Sequence, residues 1–343
     1  MNLNLVAYLK KQSDFVGVAD VEEALSGGGE KKKKAKVAAK ATLSNDALFR
    51  DIEELLAAGY NIEFHPYLGV KLIDIPDRLL EHEIREDMNT ERIGKTMRIF
   101  DEVESTNDTA WKLLEQDPKL PDGTVILAEA QSAGKGRLGR AWHSAAGQGI
   151  WMSVILKVHL PPDKLALLTA TASLAIANML QQFIHLPSEI KWPNDVMVRG
   201  RKVSGVLVET RSNLPDTFVM GIGLNVNQTA QDFPEELQGI ATSLRAERPG
   251  MAPVNRVRVI RPLLFYLDTV YRLIHKKKFD KVAHAWAEFV PMGGKKVKLN
   301  QGEAEFIGTV VEVDPAKGIT LRLDGGKATK LFAAETVSNV REA

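Results

Sequence analysis

The sequence predicts an α+β protein in three parts, and three observations carry that expectation. The first 77 residues read as three helical stretches followed by a hairpin. Residues 98–289 alternate strand-like and helix-like periodicities, and residues 290–343 hold short strands alone. At roughly 150 residues per domain, a chain of 343 residues accommodates all three.

In the first part, Leu3, Leu5, Val6 and Leu9 share one helix face, and Val18, Val21, Ala24 and Leu25 suggest a second helix. Ser26-Gly27-Gly28-Gly29 ends it, and Glu30-Lys31-Lys32-Lys33-Lys34-Ala35-Lys36 reads as a solvated run. Ser44 is expected to cap a third helix, with Leu48, Ile52, Leu55 and Leu56 inward and Gly59 as its stop. Tyr60–Phe64 and Val70–Ile73 then pair as a hairpin across His65–Gly69. Helix, helix, helix, hairpin is the order of a winged helix-turn-helix, expected over residues 1–77, with a charged connector over 78–97.

In the second part the expected strands are Met97–Val103, Val125–Ala128, Trp151–Leu156, Val196–Val198, Val203–Glu209 and Phe218–Val226. Helices are expected over Asn107–Gln116, Leu165–Phe183, Val254–His275 and Phe279–Phe289. This is a mixed α/β domain on one large sheet. In the third part, Ile319, Leu321 and Leu323 alternate with Thr320 and Arg322. Four short strands, Val297–Leu299, Ala304–Val313, Ile319–Leu323 and Lys330–Phe332, predict a small SH3-like β-barrel.

Composition narrows the function. With no cysteine, disulfides, Cys-ligated zinc and thiolate nucleophiles are excluded, and the seven histidines show no metal-ligand spacing. Lys+Arg 45 against Asp+Glu 44 leaves a net charge of +1, so any anion site must be local. Met1–Lys11 lacks the pattern of a signal peptide. The apolar stretch Leu165–Leu180, interrupted by Thr169, Thr171, Ser173 and Asn178, reads as too polar and too short to span a membrane. A soluble, cytoplasmic protein is expected.

The most informative segment is Gln131-Ser132-Ala133-Gly134-Lys135-Gly136-Arg137-Leu138-Gly139-Arg140-Ala141-Trp142. Its glycines match G-x-G-x-x-G, but a dinucleotide loop needs a helix opening there and an acidic residue about twenty positions on. Ala145, Gly147 and Gly149 suit no helix, and no Asp or Glu occurs from Leu138 to Pro162. A Walker A loop would need Ser or Thr after Lys135, where Gly136 stands. Two readings stay open: a cationic loop closing over an anion, with Trp142 to stack on a ring, or a solvated basic turn.

Other segments add polar groups. Lys191-Trp192-Pro193-Asn194-Asp195 sets a cation, an amide and a carboxylate at a rigid corner. Gly200–Gly205 starts a strand with Lys202 at its end, and Gly205 permits close approach. Gly221, Gly223 and Asn225 share one strand face, with the glycines clearing space. Ser105-Thr106-Asn107 sits at a strand-to-helix junction. In isolation Ser105 also reads as an N-cap and Lys202 as a hairpin-turn lysine.

Together, Ser105–Asn107, Gly134–Trp142, Lys191–Asp195, Arg201–Glu209 and Gly221–Asn225 resemble the biotin–protein ligase family in order and spacing, over nearly the whole chain. The N-terminal module resembles that of the longer, bifunctional ligase/repressor members. The resemblance implies an enzyme that joins biotin and ATP into biotinyl-5′-adenylate, then transfers biotin to a lysine of a biotin carboxyl carrier protein. Lys202, Arg137 and Lys135 would be the catalytic cations. Ser105, Thr106, Asn107, Gln131, Lys135, Gly136, Arg137, Lys202, Gly205, Gly221 and Gly223 would surround biotin. Arg137, Arg140, Trp142, Asn194, Asp195, Lys202 and Asn225 would meet ATP, with Asp195 the ligand of a Mg²⁺ ion. The chain would be a monomer or weak homodimer.

The N-terminal module departs from its pattern. A helix-turn-helix wants about 3–4 residues between its second and third helices, whereas Ser26–Leu43 intervenes. The third helix carries Asp46, Asp51, Glu53 and Glu54 against Arg50 alone, a poor surface for phosphates. DNA binding is therefore expected to be weak. The rival reading, a biotin-responsive DNA-binding regulator with a degenerate ligand domain, loses support here and at the intact cationic loop.

Overall fold

A computed structural model of the chain describes residues 1–26, 37–325 and 328–343, the side chains of residues 37–46, 249 and 335 excepted. Gly27–Gly29 and the run Lys31–Lys34 and Lys36 lie outside the described residues. The chain divides into two compact units, Met1–Arg78 and Leu79–Ala343.

In the first unit, helices α1 (Leu3–Leu9), α2 (Val18–Leu25) and α3 (Val37–Ala57) precede antiparallel strands β1 (Asn61–His65) and β2 (Gly69–Asp74). Leu5, Val6, Leu9, Val21, Leu48, Ile52, Leu55 and Val70 form its core. Two expectations need correction. The third helix starts at Val37, so Ser44 lies inside it; the Ala-rich stretch Val37–Leu43 has enough helix propensity to extend it backwards. Leu56 is 48% exposed, because its neighbour Leu55 already takes the inward position one-quarter turn away.

The second unit begins inside the expected connector. Helix α4 (Glu81–Arg85) follows Leu79, and Leu79, Ile84 and Ile93 are fully or almost fully buried. Asp268 accepts the backbone N–H groups of Glu91, Arg92 and Ile93 at 2.9–3.0 Å. These apolar residues, sparse among charges, gave little periodic signal, yet they seal the stretch to the unit.

Then follow β3 (Met97–Val103), α5 (Thr106–Gln116), β4 (Thr124–Gln131), β5 (Gly149–Lys157), α6 (Ala166–Met179), β6 (Glu189–Lys191), β7 (Asp195–Val198), β8 (Arg201–Arg211), β9 (Leu214–Asn225), α7 (Leu244–Glu247), α8 (Arg256–His275) and α9 (Phe279–Ala287). The strands form one seven-stranded mixed sheet of order β3-β4-β5-β9-β8-β7-β6, in which β3 and β4 run parallel. Strand β6, only three residues long, carries no period of its own and was not expected.

Helix α6 is apolar all round because it lies in the core. Its polar residues turn back on the helix: Thr171 Oγ1 donates to the Leu167 carbonyl at 2.8 Å and Asn178 Nδ2 to that of Leu174 at 3.0 Å. The helical stretch Pro162–Ile184 is long and apolar enough by length and composition to cross a membrane, contrary to expectation, but 67% of its most apolar 18 residues are buried within the protein.

A separate antiparallel sheet closes the chain, with β10 (Lys296–Gln301), β11 (Ala304–Asp314), β12 (Gly318–Leu323), β13 (Thr329–Phe332) and β14 (Val337–Glu342) in the order β13-β12-β11-β10-β14. Four strands were expected; β14 is the fifth. Its register against β10 shifts at Asn300/Gln301, so its buried residues, Val337 and Val340, fall three apart and hide the two-residue period.

Candidate active site

Residues facing one another across antiparallel strands lie on one side of a sheet. The register puts Trp151, Gly223 and Gly205 in one row, Ser153, Gly221 and Leu207 in the next, and Ile155, Val219 and Glu209 in a third. Trp111, Leu114 and Ala110 of α5 pack over Ile155 and Val219. Beyond the start of α5, the glycine rows form the floor of a cavity of about 410 Å³.

Lys202 would not share the face of Gly205 in a regular strand, since the two are three apart. A bulge does it: Ser204 pairs with Val196 and Lys202 with Met197, leaving Val203 as the extra residue. The Lys202 Nζ then lies 3.3 Å from where a Gly205 Cβ would stand. Its backbone is clamped as well, the N–H donating to Ile240 O and the carbonyl accepting from Thr242 N, each at 2.8 Å. The hairpin turn beside it is anchored by Arg199 and Arg201 on buried Glu247, at 2.7 and 2.6 Å.

The loop after β4 is a short hairpin rather than a helix. Trp142 N donates to Gly134 O at 2.8 Å and Gly136 N to Arg140 O at 2.7 Å. Arg137–Gly139 makes a single tight turn in which Leu138 takes φ +56°. No helix opens on the glycines there, which disposes of the dinucleotide fingerprint.

Five cations line the cavity, Lys135, Arg137, Arg140, Lys191 and Lys202, against one carboxylate among the described lining residues, Asp195. Such an imbalance focuses positive potential on an entering anion. Four of the cations rest on protein acceptors. Lys202 Nζ is 2.6 Å from Asp195 Oδ1, and Lys135 Nζ is 2.6 Å from Asp108 Oδ1. The Asp108 carboxylate raises the Lys135 ammonium above its ordinary pKa, by hydrogen bonding first. Arg137 donates to Asn194 Oδ1 at 3.2 Å and to the Ala334 carbonyl at 2.6 Å, and Arg140 reaches the Ser338 carbonyl at 3.4 Å.

All the residues singled out from the sequence converge here: Ser105, Thr106, Asn107, Gln131, Lys135, Gly136, Arg137, Arg140, Trp142, Asn194, Asp195, Lys202, Gly205, Gly221, Gly223 and Asn225 line the one cavity. Three details differ from expectation. The room beside Gly205 and Gly223 holds the Trp142 indole, 2.9 and 2.3 Å from the missing Cβ positions, and the room beside Gly221 holds the Asn107 amide at 2.5 Å. Asn225 spends its Nδ2 on the Thr242 carbonyl at 3.0 Å and its Oδ1 on Gln228. Ser105 occupies the N-cap of α5, but its side chain makes no capping bond.

Several lining residues were missed. Phe233, Leu237 and Ile240 form an apolar wall, and Ser338–Val340 of β14 form a second, mostly polar one. The first had a faint signal in its turn-rich apolar spacing. The second had none, because it lies some two hundred positions from the loop that it faces.

The fold and this cavity define a class. The biotin/lipoate A/B protein ligase family model matches residues 99–227. A bifunctional ligase/repressor BirA of Bacillus subtilis is 33% identical over 294 residues, 85% of this chain and 89% of that one. A biotin–[acetyl-CoA-carboxylase] ligase of Mycobacterium tuberculosis is 32% identical over 253 residues, 71% of this chain and 90% of that one. Among solved structures, a biotin protein ligase from Aquifex aeolicus in complex with biotin and ATP superposes with a TM-score of 0.61 at 29% identity, covering 73% of this chain and all of that one. The chain belongs to the biotin–protein ligase branch of this family.

Proposed function

We propose that the chain is an ATP-dependent biotin–protein ligase. It forms biotinyl-5′-adenylate from biotin and ATP, releasing pyrophosphate, and transfers biotin to a lysine of a biotin carboxyl carrier protein of a carboxylase. The observation that carries this reading is the bulge-set Lys202, held between Asp195 and the Trp142 ring on a glycine floor beneath a cationic loop. Adenylation brings two anions together and builds charge on phosphorus, and fixed cations in a half-enclosed site offset that charge. Lys202, Arg137 and Lys135 would serve the acyl-phosphate and Arg140 the distal phosphates. Ser105, Thr106, Asn107, Gln131 and Gly136 would surround biotin, with Gly205 and Gly223 seating the Trp142 ring and Gly221 the Asn107 amide. Trp142, Asn194 and Asn225 would bound the nucleotide.

No cluster of three metal-binding side chains occurs among the described residues. Mg²⁺ accepts one or two carboxylates plus substrate phosphates, and Asp195 fits that demand as the carboxylate that would hold an ion carried in by ATP. The N-terminal unit fits a winged helix with weak DNA affinity and, at most, a repressor role, and the C-terminal sheet fits an SH3-like barrel. The reading places the enzyme in the cytoplasm as a monomer or weak homodimer. The regulator with a degenerate ligand domain gains no support from an intact loop and Lys202. Pyrophosphate release is the test: it should require ATP and biotin together. Equal release with lipoate or octanoate would sink the assignment.

A further inference from the structure

A hydrogen-bonded relay with a buried middle runs behind the cavity wall, and it starts from a half-buried carboxylate that does not line the cavity. Glu209 Oε2 accepts from Asn107 Nδ2 at 3.0 Å and from Trp111 Nε1 at 3.1 Å. Asn107 Oδ1 lies 2.6 Å from the hydroxyl of Ser153, which lies 2.7 Å from the hydroxyl of Thr106. Thr106 Oγ1 is in turn 3.1 Å from Gln131 Oε1, which already accepts the Thr106 N–H at 2.7 Å. Ser153 is fully buried, so water supplies no substitute partner.

Proton arithmetic orients this chain. A carboxylate only accepts, so Asn107 must turn its NH₂ to Glu209 and its oxygen to Ser153. An amide oxygen only accepts, so the single Ser153 proton goes to Asn107. The 2.7 Å contact between Ser153 and Thr106 is then a hydrogen bond only if Thr106 donates. Its proton is thereby spent, and the Thr106 and Gln131 oxygens stand side by side on the wall as two acceptors. Gly221 guards the arrangement, since a Cβ there would lie 2.5 Å from the Asn107 oxygen.

We propose that Glu209 is a positioning residue that sets the polarity of the cavity wall, so that Thr106 and Gln131 together accept an N–H from the ligand ring. The inference rests on the ligase reading and deepens it: a cyclic urea has such an N–H, whereas a dithiolane has none. A wall built to accept an N–H rejects a ligand lacking one by about 10⁴.

The experiment compares kcat/KM for biotin with that for biotin methylated on its ureido nitrogens, in the full-length chain. Glu209→Leu removes the oxygen that accepts from both Asn107 and Trp111 and so frees Asn107 to turn over, whereas Glu209→Gln, whose amide oxygen accepts both N–H groups in the same place, should keep the wild-type preference. Glu209→Leu should raise KM for biotin about 10–100-fold and cut the biotin preference at least about tenfold, with kcat and KM for ATP within about threefold. Ser153→Ala breaks the same relay elsewhere and should do the same, and the double variant should add no more than about threefold. Wild-type selectivity in Ser153→Ala, whether or not Glu209→Leu folds, overturns the proposal, as does a parallel loss in kcat and both KM values with the preference intact. A wild-type chain making no pyrophosphate with biotin overturns the ligase reading itself, and this inference with it.

Discussion

The ammonium of Lys202 sits 2.6 Å from Oδ1 of Asp195 and 5.1 Å from the centre of the Trp142 ring. A cation so held is placed before substrate arrives, and its charge is offset by a partner that an anion can replace. Lys202→Ala should therefore slow adenylation by about 10²–10³, the usual cost of one such group. Biotin affinity without nucleotide should change far less, because the charge concerned develops in the transition state. Single-turnover pyrophosphate release beside calorimetric biotin titration separates the two. Activity within a factor of two of wild type would make Lys202 a turn residue only.

Trp142 occupies the space that Gly223 leaves. In Gly223→Ala the new Cβ would meet the indole at 2.3 Å, so the ring must leave the floor. The expected outcome is a rise of about tenfold or more in KM for ATP, with thermal stability nearly kept, because the loop rather than the sheet gives way. An unchanged KM for ATP would separate Trp142 from the nucleotide.

The loop from Gly134 to Trp142 is tied at its base by Trp142 N to Gly134 O, whereas its tip at Leu138 is 61% exposed. Amide exchange at Arg137–Gly139 should be fast in the empty enzyme and slow at least about tenfold with the adenylate, since clustered cations gain a common anion. Full protection before ligand is added would contradict closure of this loop.

Tyr271 is fully buried and donates to Asp122 at 2.8 Å. Burial first, and then the Asp122 charge, push its phenol far above the ordinary value of 10. A raised folded pKa gives stability that is complete below the unfolded pKa and lost as pH rises past it. Above about pH 10, unfolding free energy should fall more steeply in wild type than in Tyr271→Phe, by up to about 1.4 kcal/mol per pH unit. Denaturant melts from pH 9 to 11.5 measure it, and equal slopes would refute it.

In the first unit, Asp51 of α3 already accepts from Asn2 Nδ2 at 2.7 Å, and Glu54 pairs with the chain's amino group at 2.5 Å. That acidic helix disfavours phosphates. Contacts confined to Lys31–Lys34, Lys36 and Lys40 would give a salt slope of about −5 at most, with no sequence preference. Titration of biotin-operon DNA against random DNA, with adenylate present, checks this. Operator binding about 10³-fold tighter would restore a full repressor.

Most of the residues that line the cavity were legible in the sequence because its cations, amides and glycines fall in short local runs, each within one loop or strand. The α5–β4–β5 order was legible for the same reason, through periodicity. What only the tertiary structure decided is which of these groups face one another. The Val203 bulge turns Lys202 onto the face of Gly205. The shifted register of β14 brings a strand without a clear period to the cavity, and the Glu209–Asn107–Ser153–Thr106 relay joins residues 46 to 102 positions apart. Strand register and long-range proton placement follow from pairing and burial rather than from local propensity, so no window of sequence contains them.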